Sequence, residues 1–282
     1  MTWEETILYA REKDELKQLI EDSYLSADLK KNVENFSNSE EFIETLFLIN
    51  KFISTKTSSI KILDIGAGNG ISSIAFALNG FAVTAIEPDP SNTIGANAIN
   101  TLKNEYNLSN ITVNTSYGES LPFENESFDV VYARQAMHHA NNLNAFVKES
   151  ARVLKKNGLF FTCRDHVVND AMQKTEFLNS HPLQKFYNGE NAFSINEYKI
   201  AFIKANLTLK LKLGPLDSVI NYNPKTKSEL TMEFREILEK KIRLKLPDNN
   251  TFNAIIFTIF KLKTYNLHNN AGRLYSFIAH KV

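Results

Sequence analysis

The chain has 282 residues, 43% of them hydrophobic and 23% charged, enough apolar surface for one large domain or a core domain with an insertion. Lys and Arg number 32 against 32 Asp and Glu, whereas a protein that tracks nucleic acid usually carries a basic excess, so nucleic acid is an unlikely partner. A single cysteine, Cys163, excludes an intrachain disulfide and a cysteine-based zinc site and suits a reducing compartment.

The first stretch, "MTWEETILYAREKDELKQLIED", is charged throughout and lacks the apolar segment of a signal peptide. No run approaches the ~18 apolar residues of a spanning helix. A soluble, cytoplasmic protein with no membrane partner is expected. Within residues 4–22, Ile7, Leu8, Leu16, Leu19 and Ile20 recur among charges at helical spacing. A second helix is predicted over 39–53, with Ser39 as its cap and acidic residues in its first turn. An alternation then begins: strand 60–65, helix 71–80, strand 82–89, helix 91–106, strands 111–116 and 128–134, helix 141–156, strand 158–166. That rhythm argues for a parallel sheet with helices on both faces.

Beyond His166 the rhythm breaks. Residues 179–193 mix turn residues and aromatics without a clear period. Ser194 and Glu197 form a capping box opening a helix over 194–206, and 207–214 reads as a strand. A basic amphipathic helix follows near 226–245, and its run of Lys240, Lys241, Arg243 and Lys245 reads as a solvated face or a contact for an anion. "FNAIIFTIF" (252–260) is too short to span a membrane and reads as a buried helix or strand. "GRLYSFIAHKV" closes the chain as a strand. Cys163 reads as a small buried hydrophobe in the fifth strand. The division expected is an N-terminal helical segment over 1–56, a core over 57–166, a core strand with cap insertions over 167–270, and a final core strand over 271–282.

The chemistry concentrates in "KILDIGAGNG". Three of the chain's ten glycines, Gly66, Gly68 and Gly70, fall within five positions directly after an apolar run. Glycines there let backbone N–H groups and a helix N-terminus approach a ligand at the carboxyl edge of a parallel sheet. Their spacing differs from the dinucleotide fingerprint, which argues against a nicotinamide dehydrogenase. Glu87 stands at the end of the next strand, seventeen residues after Gly70, where a carboxylate accepts from both ribose hydroxyls of a nucleoside.

"ILDIGAGNG", then "AIEPD", then "GESLPFENESFDVVYARQAMHHANNLNAFVKESARVLKKNGLFF" resembles a class I S-adenosylmethionine-dependent methyltransferase. More narrowly, it resembles the methyltransferase type 11, ubiquinone-biosynthesis-like branch. The resemblance covers residues 60–166 well. It implies an α/β fold: a Rossmann-like three-layer sandwich around a mostly parallel seven-stranded sheet, with N-terminal helices and a helical cap inserted late. It also implies S-adenosylmethionine as cofactor. Gly66, Gly68 and Gly70 would lie against its aminoacyl and ribose parts, with Asp64 near the amino group. Glu87 would bind the ribose, Pro88 would border the adenine, and Gly118, Glu119, Ser120 and Leu121 would flank it. Tyr117 stands where relatives carry an acidic residue for the adenine amino group, and Glu119 or Ser116 could substitute. Arg134 would pair with the methionyl carboxylate or form an ordinary salt bridge.

Methyl transfer needs in-line positioning and removal of the acceptor's proton, which directs attention to histidines at strand ends. His166, with Arg164 and Asp165 in "CRDH", is the first candidate base, and His139 of "MHHA" the second, although the commoner role of such a His138–His139 pair in the family it resembles is structural, capping or packing the following helix. Arg164, His181, Tyr187 and Asn191, with Glu190, would line the acceptor pocket unless they belong to a lid core. No metal-ligand set is assigned. The expected activity is methyl transfer to a small molecule, at oxygen. The alternatives are a macromolecular acceptor and a non-catalytic cofactor-binding module. The oligomeric state is not legible.

Overall fold

The computed structural model describes residues 1–53, 60–266 and 271–282. Its frame is a sheet of eight strands. Five run parallel, in spatial order β3 (Ile111–Asn114), β2 (Ala82–Ile86), β1 (Lys61–Ile65), β4 (Phe128–Arg134) and β5 (Leu154–Val168). The chain then returns antiparallel: β8 (Arg273–Lys281) pairs with β5 on one side and with β7 (Leu207–Leu213) on the other. The eighth strand, β6 (Phe193–Ser194), is a two-residue piece beside the end of β5 that the expected seven did not include. Strand order reverses between β1 and β4, and such a switch point opens a crevice at the carboxyl ends of the strands.

Because side chains alternate across a strand, each face of the sheet carries its own core. Ile62, Val83, Tyr132 and Phe161 meet α3 (Leu29–Ser37), α4 (Glu40–Phe52) and α5 (Ile71–Leu78) on one face. Leu63, Val131, Ala133 and Phe160 meet α7 (Leu143–Val153) and α10 (Ile195–Lys204) on the other. The three-layer expectation holds. The capping box of Ser194 and Glu197 is present at the start of α10. Cys163 is fully buried in β5.

Several boundaries differ from the sequence reading. The single helix expected over 4–22 is two helices, α1 (Trp3–Arg11) and α2 (Asp14–Asp22). The chain turns at Lys13, which is extended at φ −105°, and the Arg11 guanidinium holds the corner by donating to the Leu25 and Ser26 carbonyls. Helix α6 (Ala96–Glu105) starts late because residues before it are tied back, Ala96 N donating to Asp89 O at 2.7 Å. Two helices escaped detection, α3 and α8 (Ala171–Ser180); α9 (Gln184–Tyr187) and α11 (Val219–Tyr222) are single turns of the cap. The basic helix is α12 (Lys227–Ile242). "FNAIIFTIF" lies in α13 (Asn250–Asn266), but within that stretch only Ile256 and Phe257 are buried while Ile255 and Ile259 are exposed, so the expected buried element is largely exposed. The boundaries drawn at 56/57 and 270/271 fall outside the described residues. Among the described residues, no helix is long and apolar enough to cross a membrane.

One buried carboxylate adds a polar tie to the apolar packing of the N-terminal helices against the sheet. Glu41, in the first turn of α4 where a surface charge is usual, is 0% exposed. It accepts from Arg134 Nε at 2.6 Å and Nη2 at 3.1 Å, and Arg164 Nη1 lies 3.6 Å away. Removing one side of a buried ion pair strands the other side's charge. Glu41→Gln is therefore expected to lower stability by about 3–5 kcal/mol, measured by urea denaturation. A loss below about 1 kcal/mol would show that the guanidinium groups are solvated by other means.

Candidate active site

Above the β1–β4 switch point lies a cleft of about 650 Å³. Its first wall is the glycine turn between β1 and α5. Gly66, Gly68 and Gly70 all have positive φ, at 69°, 56° and 86°, a conformation that an L side chain adopts only with strain. A Cβ on Gly66 would sit 2.6 Å from Ala136 Cβ, so the turn also packs against the loop after β4. Gly70 faces Ile99 and caps α5 behind the wall.

Glu87 leaves the end of β2 and turns toward this backbone. Its Oε2 accepts from Gly68 N at 2.7 Å and its Oε1 from Asp89 N at 2.9 Å. Burial pushes its carboxyl up to about 7, against those two hydrogen bonds, which favour the ionised form. Pro88 continues this wall, and Ser116, Tyr117, Gly118 and Glu119 face it. Glu119 is already engaged as an acceptor, from Asn141 N at 2.9 Å.

Asp64 does not reach the cleft. Its Oδ2 accepts from the Ser72 and Ser73 hydroxyls, both at 2.6 Å, and burial pushes the carboxyl up to about 6. It pins the first turn of α5 from below. Ser120, Leu121 and Asn191 also lie off the wall. Leu121 is buried with its N–H on Glu149, and the Asn191 side chain accepts from Ala192 N. Arg134 does line the cleft, but its guanidinium is committed to Glu41 and to Gln135 Oε1 at 3.1 Å. Of the two readings offered for it, the ordinary salt bridge is present.

The far end of the cleft is built from side chains of β4's following turn, of β5 and of the cap. His138 and His139 stand on a short 3-10 turn, and Arg164 and His166 on β5. Opposite β8, β5 carries one extra residue between Thr162 and Asp165, a bulge at which Arg164 has φ +61°. The bulge sends the Arg164 guanidinium to the carbonyls of Ile220 and Asn223, at 2.9 and 2.8 Å. Asp165 does not orient His166, as their adjacency suggested. It accepts from His138, at 3.0 Å from both the backbone N and Nδ1.

His166 instead bonds Gly272 O through Nδ1 at 2.7 Å. Burial drives its pKa down to about 4, partly offset by that carbonyl and by Glu190. His138 is held well below its usual value, and His181 is lowered too, in both cases chiefly by burial. From the cap, Tyr187 donates to Glu190 Oε1, while His181 Nε2 lies 3.7 Å from the same oxygen. Helix α1 closes the top: Ile7 and Ala10 pack with Leu183, and the Trp3 ring meets Tyr187 in a tilted contact, centroids 4.5 Å apart. The convergence of four histidines on Glu190 was not foreseen; residues 138 and 190 are joined by no local spacing that a sequence pattern could reveal.

Residues 63–162 match the methyltransferase domain family. An uncharacterized methyltransferase, YcgJ of Bacillus subtilis, is 31% identical over 151 residues, spanning 53% of this chain and 58% of YcgJ, less than two thirds of its length. A ubiquinone biosynthesis O-methyltransferase of Pelagibacter ubique is 25% identical over 191 residues, 62% of this chain and 73% of that one. Among solved structures, a geranyl diphosphate methyltransferase in complex with S-adenosylmethionine superposes with a TM-score of 0.58 at 15% identity, covering 85% of each chain, a likeness of fold. Over residues 63–162, then, the chain carries a methyltransferase domain similar to those of S-adenosylmethionine-dependent methyltransferases.

Proposed function

We propose that this protein transfers a methyl group from S-adenosylmethionine to an oxygen of a small-molecule acceptor in the cytoplasm. The observation that carries this reading is a cleft with two chemically different halves, backbone and glycine at one end and enclosed ionisable side chains at the other. The name of the Pelagibacter relative, an O-methyltransferase, agrees with oxygen as acceptor atom. The balanced charge of the chain and its lone buried cysteine agree with a small acceptor and a reducing compartment.

The first half fits the cofactor. At the point where a Cβ of Gly68 would stand, no atom lies nearer than Ile94 O at 3.9 Å, so the turn leaves an open cradle. Glu87 borders that cradle as a carboxylate that two ribose hydroxyls can share. We assign Gly66 and Gly68 to the aminoacyl and ribose parts, and Pro88, Gly118 and Glu119 to the adenine. Gly70, Ser120, Leu121 and Asp64 support these groups from behind. Arg134, engaged by the Glu41 carboxylate, anchors the wall rather than gripping the methionyl carboxylate.

When bound, S-adenosylmethionine supplies an electrophilic methyl carbon: an acceptor oxygen pair forms the new bond while the C–S pair stays on sulfur. The protein's remaining task is to hold the acceptor in line and take its proton. His166 keeps an uncharged Nε2 lone pair, because Nδ1 is spent on Gly272, and His139 offers a route to solvent; these are the groups we assign to that proton. Arg164, His181 and Tyr187 wall the acceptor's half, and Asn191 stiffens the loop behind them.

Two outcomes test the cofactor half. With a carboxyl near pH 7, Glu87 must lose its proton to serve the ribose, so affinity rises with pH until it is ionised. Calorimetry should find S-adenosylhomocysteine bound about tenfold more weakly at pH 6 than at pH 8, with Glu87→Gln weak and flat across the range. A pH-independent parent protein would remove Glu87 from the ribose. Gly68→Val should weaken binding at least about tenfold at a stability cost of about 1–2 kcal/mol. Unaltered affinity in that variant would mean that the cofactor lies elsewhere.

A further inference from the structure

Four histidines gather around Glu190 at the acceptor end of the cleft. The Glu190 side chain is 6% exposed; Oε1 takes the Tyr187 hydroxyl, and Oε2 is buried without a hydrogen bond. His138 Nε2 stands 3.8 Å from Oε2, and His181 Nε2 3.7 Å from Oε1. Those separations are long for hydrogen bonds. They suit two ligands of one ion, since atoms each about 2.0–2.1 Å from a metal are at most about 4.2 Å apart. The donor atoms of His138, His139 and Glu190 lie within 4.8 Å of one another, and so do those of His166, His181 and Glu190.

The imidazoles are also oriented as metal ligands are. His139 Nδ1 bonds the Gly189 carbonyl at 2.9 Å, and His166 Nδ1 bonds that of Gly272 at 2.7 Å. A carbonyl only accepts, so in both rings Nδ1 carries the proton and Nε2 keeps its lone pair. His138 repeats the pattern on Asp165 Oδ1, an oxygen that already accepts the His138 backbone N–H. A carboxylate or carbonyl behind Nδ1 is the outer shell that fixes a metal-ligating histidine.

We propose that Glu190 and the surrounding histidines bind one divalent first-row transition-metal ion at the acceptor end of the cleft. Mixed imidazole and carboxylate donors suit zinc, iron or nickel more than magnesium or calcium. The role of the ion, though not its binding, rests on the methyltransferase reading. An open coordination position takes a hydroxyl oxygen of the acceptor and acidifies it, doing the work otherwise assigned to His166. The hydroxyl proton leaves to solvent past exposed His139, the oxygen pair bonds the methyl carbon, and the C–S pair remains on sulfur. The acceptor class narrows accordingly to hydroxyl-bearing molecules able to ligate a metal.

The test uses the full chain, stripped with a chelator and titrated with Co²⁺ by visible absorption, then with Zn²⁺ in competition. S-adenosylhomocysteine calorimetry runs in parallel. One equivalent of Co²⁺ should bind and be displaced by Zn²⁺. Glu190→Gln and His181→Ala should each weaken uptake at least about tenfold while S-adenosylhomocysteine affinity, and hence the fold, is kept. Absence of saturable one-equivalent uptake, or uptake indifferent to both substitutions, overturns the site. Failure of the parent protein to bind S-adenosylhomocysteine overturns the methyltransferase reading instead, and leaves the metal result standing.

Discussion

The position of Glu41 is the constraint on which the site depends. A carboxylate with no exposure must be matched by charge and hydrogen bonds, and here it meets Arg134 from the end of β4 and Arg164 from the bulge in β5. Arg164 in turn holds the carbonyls of Ile220 and Asn223, and Asn223 Nδ2 donates to the Tyr24 hydroxyl. N-terminal helices, sheet edge and cap thus share one polar knot directly beside the cleft. Replacing such a knot by apolar packing is often neutral or stabilising, so its value here lies in geometry rather than net stability. A buried charge pair tolerates few arrangements. It therefore fixes where the covering elements sit over the carboxyl ends of the strands.

The same knot explains the fate of several expectations. Arg134, read as a partner for a ligand carboxylate, is taken by a residue almost a hundred positions earlier, and nothing in the local spacing of either announces the pairing. Arg164 was expected to face the acceptor at the exit of β5, and it does line the cleft, but its guanidinium is engaged by the Ile220 and Asn223 carbonyls. The bulge that turns it toward α11 arises from a mismatch with β8, a strand more than a hundred residues away. Asp165 serves His138 rather than its neighbour for the same reason. Period-two reasoning along β5 cannot anticipate an inserted residue.

What was legible is what is local. The strand–glycine–helix unit, the Glu87 position, the capping box of Ser194 and Glu197 and the alternation of core strands each depend on residues a few positions apart. Helix α3 and helix α8 were passed over because their apolar positions are few and their burial comes from tertiary contacts, with Val33 and Phe36 the main anchors of α3. The split of the N-terminal helix was equally hidden. Its corner is held by Arg11 reaching Leu25, a contact that charge-rich helical periodicity conceals.

This contrast runs through the cleft itself. Its cofactor half is made largely of backbone: glycines with positive φ, amides and one carboxylate, all inside the stretch over which the family resemblance extends. Its acceptor half is made of side chains, and Glu190, His181 and Tyr187 lie beyond residue 162, where the family match ends. Backbone recognition can be kept with few fixed residues. Side-chain recognition changes with every substitution in the cap. Under the proposed function, specificity would therefore follow from how the cap brings Glu190 to the histidines after β4 and on β5. The cap in turn is seated by α1, through Trp3 on Tyr187 and Ile7 beside Leu183.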